Sequence, residues 1–342
     1  MSAKPTTASA VPQEQRIIKI RRDYNTWVAN ETLEDYALRF TARSARKWSE
    51  FRVANTAFGA ISFLLLEAIG GSLLVSYGFT NAAWAIAAVS LVIFLTGLPI
   101  GWYAAKYGVD MDLLTRGAGF GYIGSTITSL IYASFTFLFF ALEATIMALA
   151  LKLCFGIPLT PAYLICALVV IPLVTHGITL ISRLQAWTQP LWLLLLVLPF
   201  VFVIWKAPEL AGELPDFAAP DGSTAFSLIQ FGAAASVLMA MVTQIGEQVD
   251  FLRFLPEKTK DNRKRWMASL IVAGPGWIGM GAIRLPGGAF LAFIALRAGV
   301  PQASALEPTE MYRIGFGYVF DSPAVALGAP TLLAVLTQLH IH

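Results

Sequence analysis

Charged side chains are scarce in this sequence. Only 13% of its 342 residues are Asp, Glu, Lys or Arg, whereas 57% are hydrophobic, and the mean hydropathy is +0.66. A soluble domain carries roughly a quarter charged residues, because it has an aqueous surface to cover. The shortage of charge therefore excludes an ordinary soluble fold, and the long apolar runs predict a protein whose solvent is lipid.

Cysteine and histidine, which build disulfide frameworks, metal centres and many catalytic sets, are also scarce. Cys154 and Cys166 stand in apolar segments without a CxxC pair, which predicts two small buried residues. His176 is the only histidine before the last three residues. We therefore expect no disulfide framework, no metal site, no cofactor and no enzymatic activity, since a nucleophile–base set is lacking.

The N-terminal fifty residues lack the short apolar core and the cleavage site of a signal peptide. They are polar and basic, which predicts a cytoplasmic leader at 1–50 before a transmembrane domain at 51–342.

About eight apolar segments follow, each close to the roughly twenty residues that cross a hydrocarbon core. They lie at 54–78, 82–104, 119–152, 160–181, 186–205, 226–248, 267–297 and 316–339. The sequence thus predicts an all-α integral membrane protein with about eight transmembrane helices.

Lys and Arg are concentrated in every second loop, and the loop at 206–223 between them is acidic. The positive-inside rule then places the N-terminus in the cytoplasm and predicts a multi-pass protein of the plasma (inner) membrane. The densest basic run, at 253–265, falls in an inner loop, so we expect a lipid bilayer and no nucleic acid as partner.

The segment Gly119–Gly124 matches GxGxxG letter for letter. The motif indicates dinucleotide binding only after a strand and within a βαβ unit. Here it opens a predicted membrane span, which favours close helix packing through small residues.

Three glutamates lie deep in predicted spans: Glu67 in the first, Glu143 in the third and Glu247 in the sixth. A carboxylate at mid-membrane normally faces protein or water, because lipid exposure is costly. Each glutamate is open to two interpretations, a structural hydrogen-bonding residue or part of a polar cavity. Three such residues together favour a shared cavity.

Two spans carry sequence that weakens a helix. In the first span Gly70 and Gly71 follow Glu67, and the sixth span contains a polar run from Thr243 to Gln248. Broken helices at membrane depth occur where the backbone lines a cavity or is buried in protein. Interruptions at corresponding positions of two halves point to the binding site of a transporter, and these two spans are five apart.

The third span presents Tyr132, Phe135, Thr136, Phe139 and Glu143 on one helical face. The face is either an aromatic packing stripe or a shelf for a planar solute, with Thr136 and Glu143 offering hydrogen bonds. In the seventh span Arg284 precedes Pro286, Gly287 and Gly288, which predicts a further helix break. The sequence leaves open whether Arg284 pairs with a glutamate or reaches the interface.

Three stretches carry a family resemblance: Gly59 to Phe63 with Gly70–Gly71, Val249 to Pro256, and Ala273 to Trp277 with 287–290. They resemble the purine–cytosine permease branch of the nucleobase:cation symporters, and the similarity extends over about 45–342. Val249 to Pro256 is similar to the family's Asp-aromatic-x-Arg-aromatic signature.

The resemblance implies a LeuT-type bundle, in which discontinuous helices 1 and 6 belong to two inverted five-helix repeats. It also implies uptake of a nucleobase, allantoin, hydantoin or related small nitrogenous solute, coupled to Na⁺ or H⁺. Backbone carbonyls near Gly59 and Phe63 would contribute to a cation site.

The resemblance further implies a substrate cavity between the first, third and sixth spans. Thr136 stands where relatives hold a substrate-bonding amide, and Phe139 where they hold a stacking aromatic residue. Residues around Gln244 and Glu247 would line the cavity. With Glu67 and Glu143 added to this set, the site suits a cationic or strongly hydrogen-bonding solute, or proton coupling.

The C-terminal end departs from the family pattern of ten core helices. The first repeat, at about 54–205, is complete, whereas the second, at about 226–340, has three spans. The expectation is an incomplete bundle, from a truncated and inactive copy or a fragment of a longer protein. The alternative is a membrane sensor module of a signalling protein whose downstream part is missing.

Overall fold

The computed structural model of the chain describes residues 40–43, 46–175 and 178–340. Within these ranges the regular structure is helical, apart from one antiparallel β-bridge between Phe40 and Val109. Six helical stretches are long and apolar enough to cross a membrane. The prediction of an all-α, multi-pass membrane protein is confirmed. Most of the predicted leader, including 1–39, and His176 lie outside the described residues.

The helices of the first half run from the end of the basic N-terminal segment to the acidic loop at 206–223. A π-helical turn, Arg116–Phe120, joins the third and fourth of them. In chain order they are α1 (Glu50–Ala60), α2 (Leu65–Tyr107), α3 (Met111–Thr115), α4 (Gly121–Phe155), α5 (Leu159–Thr175) and α6 (Ile178–Lys206).

The second half begins with short helices in the acidic loop and ends at the last described residue. Two 3₁₀ turns, Leu214–Asp216 and Ala240–Gln244, belong to this half. Its helices are α7 (Pro208–Glu213), α8 (Leu228–Met239), α9 (Ile245–Leu252), α10 (Arg263–Ala273), α11 (Trp277–Arg297), α12 (Gln302–Ala305), α13 (Pro308–Gly317) and α14 (Pro323–His340).

The helix ends follow local chemistry. The side chain of Ser49 accepts a hydrogen bond from the Arg52 amide and caps α1, and Asp110 caps α3 through the Leu113 amide. Gly108 and Gly156 end α2 and α4 with φ of 67° and 69°, a left-handed conformation that costs glycine little.

The predicted spans differ from the helices at three places. The first predicted span is divided between α1 and α2, and α2 continues across a kink at Gly78 (φ 72°, ψ 166°) into the second. The fourth is short, with Leu159–Pro172 as its apolar part. The eighth begins at Pro323 instead of 316, because Pro308–Gly317 forms a separate helix.

The predicted break at Gly70 and Gly71 is wrong. The first span is interrupted earlier, at 61–64, and both glycines lie inside α2. They lie where α11 crosses α2: a Cβ on Gly70 would come within 1.9 Å of the Leu285 carbonyl oxygen. Gly288 of α11 makes the reciprocal approach, since its Cβ would lie 2.3 Å from the Glu67 backbone. The absence of side chains allows the two helices to touch.

The predicted break after Arg284 is also wrong. Helix α11 runs through Pro286 without interruption, and the seventh span is broken earlier, at 274–276 between α10 and α11. The predicted discontinuity of the sixth span is confirmed, because a 3₁₀ turn at Ala240–Gln244 interrupts the α-helix between α8 and α9.

The GxGxxG segment does not pack helices together as expected. Gly119 and Gly121 have φ of 108° and 65°, and no heavy atom lies within 4 Å of a Cβ built on either. These glycines serve the turn between α3 and α4, where an L side chain would be strained.

Helix α11 is shared by the two main groups of buried hydrophobic residues. Its first half packs with α1, α2 and α8 to α10, and its second half packs with α4, α6, α13 and α14. The contact between α2 and α11 is the most extensive of any helix pair. The broken first and seventh spans are thereby held against each other at the centre of the bundle.

Candidate functional site

The break in the first span exposes backbone groups that other spans satisfy. The Ile61 carbonyl accepts a hydrogen bond from Arg284 Nη1 at 2.8 Å. At the far side of the break, the Leu65 amide donates to Glu143 Oε1 at 2.6 Å. Because unpaired backbone groups are costly inside a membrane, these two side chains support the interruption.

Glu67 and Arg284 form a buried, two-point ion pair. The Nε and Nη2 atoms of Arg284 lie 2.9 and 2.7 Å from the two carboxylate oxygens, and the side chains are 3% and 1% exposed. The Tyr312 hydroxyl donates a third hydrogen bond to Glu67 at 3.2 Å. Of the two alternatives for Arg284, the structure shows pairing with a glutamate.

Glu143 reaches the break from α4 and is 1% exposed. One of its oxygens accepts a hydrogen bond from the Leu65 amide, and the other has no hydrogen-bond partner among the described residues. Glu143 thus caps the start of α2 with half of its carboxylate.

Glu247 lies in the first turn of α9, where the sixth span resumes as an α-helix. Its Oε2 accepts a hydrogen bond from the Gln244 amide nitrogen, whereas its Oε1 has no partner in the described part of the chain. The side chain is 8% exposed.

A cavity of about 310 Å³ lies beside the two interruptions. The third and fourth spans supply most of its wall, and Phe63 from the first break closes one side. Its lining residues are Phe63, Phe135, Thr136, Phe137, Phe139, Phe140, Val170, Ile171, Thr175, Gln244 and Glu247.

The structure brings four of the six predicted substrate residues together. Thr136, Phe139, Gln244 and Glu247 line the cavity. Glu67 and Glu143 are not among the lining residues. Glu143 accepts a hydrogen bond from the Leu65 amide at the break, and Glu67 pairs with Arg284, which fits the structural interpretation that the sequence left open. Direct binding of a solute by any of the six stays a prediction.

The predicted cation ligands lie at the start of the break. The Gly59 carbonyl accepts a hydrogen bond from Ser62 Oγ at 2.6 Å, and the Phe63 carbonyl accepts one from the Leu66 amide at 3.4 Å. The Phe63 ring meets Phe139 edge-on, with centroids 5.5 Å apart. Cation binding here also stays a prediction.

A second polar cluster was missed at the sequence level. His340 contacts Thr188 Oγ1 through Nε2 at 2.6 Å and Ser62 Oγ through Nδ1 at 3.3 Å, while Gln185 donates to its carbonyl at 2.9 Å. The cluster ties the first break to α6 and α14. The available signal was the i, i+3, i+4 spacing of Gln185, Thr188 and Gln189 in the fifth span.

The comparisons with known proteins add a structural neighbour. No protein-family model and no curated protein matches the sequence. Among solved structures the chain is similar to Mhp1, described as a nucleobase-cation-symport-1 family transporter in a closed conformation with bromovinylhydantoin bound. The TM-score is 0.61 at 17% identity.

The chain shares the fold of this neighbour, a LeuT-type helical bundle. The match covers 90% of this chain and 66% of that chain, so the chain spans about two thirds of its neighbour's length. At 17% identity the likeness extends to the fold. The LeuT-type bundle implied by the sequence resemblance is confirmed at this level.

Proposed function

We propose that this chain is a cation-coupled secondary transporter of a small, flat, nitrogenous solute such as a nucleobase, allantoin or hydantoin. One observation carries the proposal: an aromatic cavity with a few polar groups lies at the interruptions of the first and sixth spans. Small-molecule sites have this composition, in which apolar walls provide contact area and a few polar atoms fix orientation.

The roles of the residues follow from their places on the cavity wall. Phe139 stacks on the solute, while Thr136, Gln244 and Glu247 form hydrogen bonds with it. Na⁺ or H⁺ is the coupling ion, and the Gly59–Phe63 break contributes to its site. The neighbour's structure holds bromovinylhydantoin, a ligand of the proposed kind.

The fold supports a multi-pass membrane protein, and the charge pattern of the loops supports the orientation that we propose. In this proposal the protein lies in the plasma (inner) membrane with a cytoplasmic N-terminus. The structural likeness is to a transporter, and it gives the signalling-module alternative no support.

Uptake by purified protein in liposomes tests the proposal. A panel of adenine, cytosine, uracil, hydantoin and allantoin is offered under an inward Na⁺ gradient or an inward proton gradient. We expect at least one solute to accumulate under one gradient and not without it. Phe139→Ala should lower that uptake by about fivefold or more, because stacking of a base on an aromatic ring is worth about 1–3 kcal/mol.

The matched control is Phe51→Ala, since Phe51 is 77% exposed and lies outside the cavity. Its uptake should equal that of the wild type. Failure of every solute to accumulate under either gradient would contradict the proposal, and so would an equal loss in both variants.

A further inference from the structure

The hydrogen-bonding groups on the cavity wall are mostly acceptors. The Thr136 hydroxyl donates its proton to the Tyr132 carbonyl at 3.0 Å, and that of Thr175 donates to the Pro172 carbonyl at 2.9 Å. Both oxygens therefore keep only lone pairs for a ligand. The amide nitrogen of Gln244 uses one of its two N–H groups for Glu247, and its carbonyl oxygen is an acceptor.

Glu247 adds an oxygen that nothing in the described chain satisfies. Glu247 lines the cavity and is 8% exposed. Its Oε1 is buried and has no hydrogen-bond partner among the described residues. A buried acceptor without a donor carries the full cost of its lost hydration. None of the described lining residues is Lys, Arg or His, so the wall supplies no positive charge to this carboxylate.

The aromatic part of the cavity wall also favours a positively charged ligand. Five of the lining residues are phenylalanines, and the face of each ring carries the negative lobe of its quadrupole. A flat cation stacked between such faces gains a cation–π attraction that a neutral ring of the same shape does not.

The arginine that contacts the first break, Arg284, is already committed elsewhere. Arg284 forms a two-point pair with Glu67, and its third group donates to the Ile61 carbonyl. Glu143 uses one oxygen for the Leu65 amide, and its other oxygen has no hydrogen-bond partner in the described chain. Neither Arg284 nor the described cavity wall supplies a positive charge to Glu247, whereas a cationic solute would supply one.

We propose that the cavity selects a planar organic cation whose N–H groups donate to Glu247, in preference to a neutral ring of the same shape. The ligand class is an amidinium, guanidinium or protonated amino-heterocycle. The inference rests on the proposed function for the location of the solute site. It goes further by assigning the charge of the solute and the residue that recognises it.

Benzamidine and benzamide test this inference, because they share a shape and differ in charge. Equilibrium binding of each is measured to the purified full chain, by calorimetry and by the ligand-induced rise in unfolding temperature. We expect benzamidine to bind about tenfold more tightly or better, the scale of one buried hydrogen bond to a charged group. No binding of benzamidine, or equal binding of the two, would overturn the inference.

Three variants assign the preference to its residue. Glu247→Gln keeps the side-chain shape, and should bring the affinity ratio close to one. Glu247→Asp keeps the charge and should retain a preference for benzamidine. Glu257→Gln, at a residue half exposed in the inner loop, is the matched control and should leave the ratio unchanged.

A wild-type ratio that survives in Glu247→Gln would overturn the assignment to Glu247. If that variant does not fold, loss of the preference in a folded Glu247→Asp would overturn the assignment too. Failure of this inference can be distinguished from failure of the proposed transport function. A chain that takes up a neutral solute without charge preference refutes this inference alone, whereas one that binds benzamidine selectively but transports nothing refutes the transport function alone.

Discussion

Arg284 holds the first break by bonds to two sides of it. Its guanidinium bonds the Ile61 carbonyl before the gap and the Glu67 carboxylate after it, and all these groups are buried. Planar, two-point geometry is specific to arginine, so lysine would not reproduce the arrangement. The pair therefore positions the interrupted helix against α11.

Removing one partner of this pair should be far more damaging than removing a surface pair. Glu67→Gln leaves the guanidinium buried without a counter-charge, and we expect a loss of about 3–5 kcal/mol in unfolding free energy. Glu257→Gln breaks the Arg43–Glu257 pair, whose side chains are 79% and 50% exposed, and should cost less than about 1 kcal/mol.

Unfolding in detergent micelles measures both variants. Replacing both partners, in Glu67→Gln with Arg284→Met, should recover part of the loss because no uncompensated charge remains. Equal stability of Glu67→Gln and the wild type would show that the pair does not hold the break.

The three membrane glutamates show which part of a site a sequence reveals. The sequence predicts that all three face protein or water and favours a shared cavity; all three are buried, but only Glu247 lines the cavity. Their partners could not be predicted, because Arg284 lies 217 residues from Glu67 and Leu65 lies 78 residues from Glu143. The helical period predicted the shared face of Phe135, Thr136 and Phe139, since that period depends only on neighbouring residues.

At the scale of helices, the glycine pair in the first span predicts a break at the wrong place, whereas the polar run in the sixth span predicts one correctly. Gly70 and Gly71 each weaken a helix by about 1 kcal/mol relative to alanine, which favoured a break. Tertiary contact outweighs that preference here, because α11 approaches α2 at this point so closely that no side chain fits. The polar run at 243–248 is interpreted correctly as part of an interruption, because a 3₁₀ turn at Ala240–Gln244 separates α8 from α9 there.

Two glycines of α11 provide a matched test of the helix crossing. Gly288→Ala places a methyl group 2.3 Å from the Glu67 backbone, whereas Gly279→Ala meets nothing within 4 Å. We expect Gly288→Ala to lower the unfolding free energy by about 1–3 kcal/mol through overpacking. Gly279→Ala should be neutral or slightly stabilising, since alanine favours a helix.

Thermal unfolding of both variants in the same detergent checks the difference. If Gly288→Ala is as stable as Gly279→Ala, the close approach of α2 and α11 is not a feature of the protein in solution.

At the scale of the whole molecule, hydropathy predicts the membrane character of the fold, and the family resemblance implies its type. The apolar segments predict a multi-pass bundle, the interruptions five spans apart point to an inverted five-helix repeat, and the resemblance implies the LeuT-type bundle that the structural neighbour shares. The polar cluster around His340 was not predicted, because it forms between the first, fifth and eighth spans, which are far apart in the chain.

The central claim is that a small solute binds in the cavity between the first, third and sixth spans. Protection of a cysteine at Thr136 from a water-soluble maleimide tests this location most directly. The variant is Thr136→Cys in a chain with Cys154→Ala and Cys166→Ala, and Thr224→Cys in the exposed acidic loop is the control. The panel solute taken up fastest is added at saturation.

The account predicts that solute slows labelling at Thr136→Cys by about tenfold and leaves labelling at Thr224→Cys unchanged, since about 90% occupancy of one site gives that factor. Equal labelling at Thr136→Cys with and without solute would contradict it.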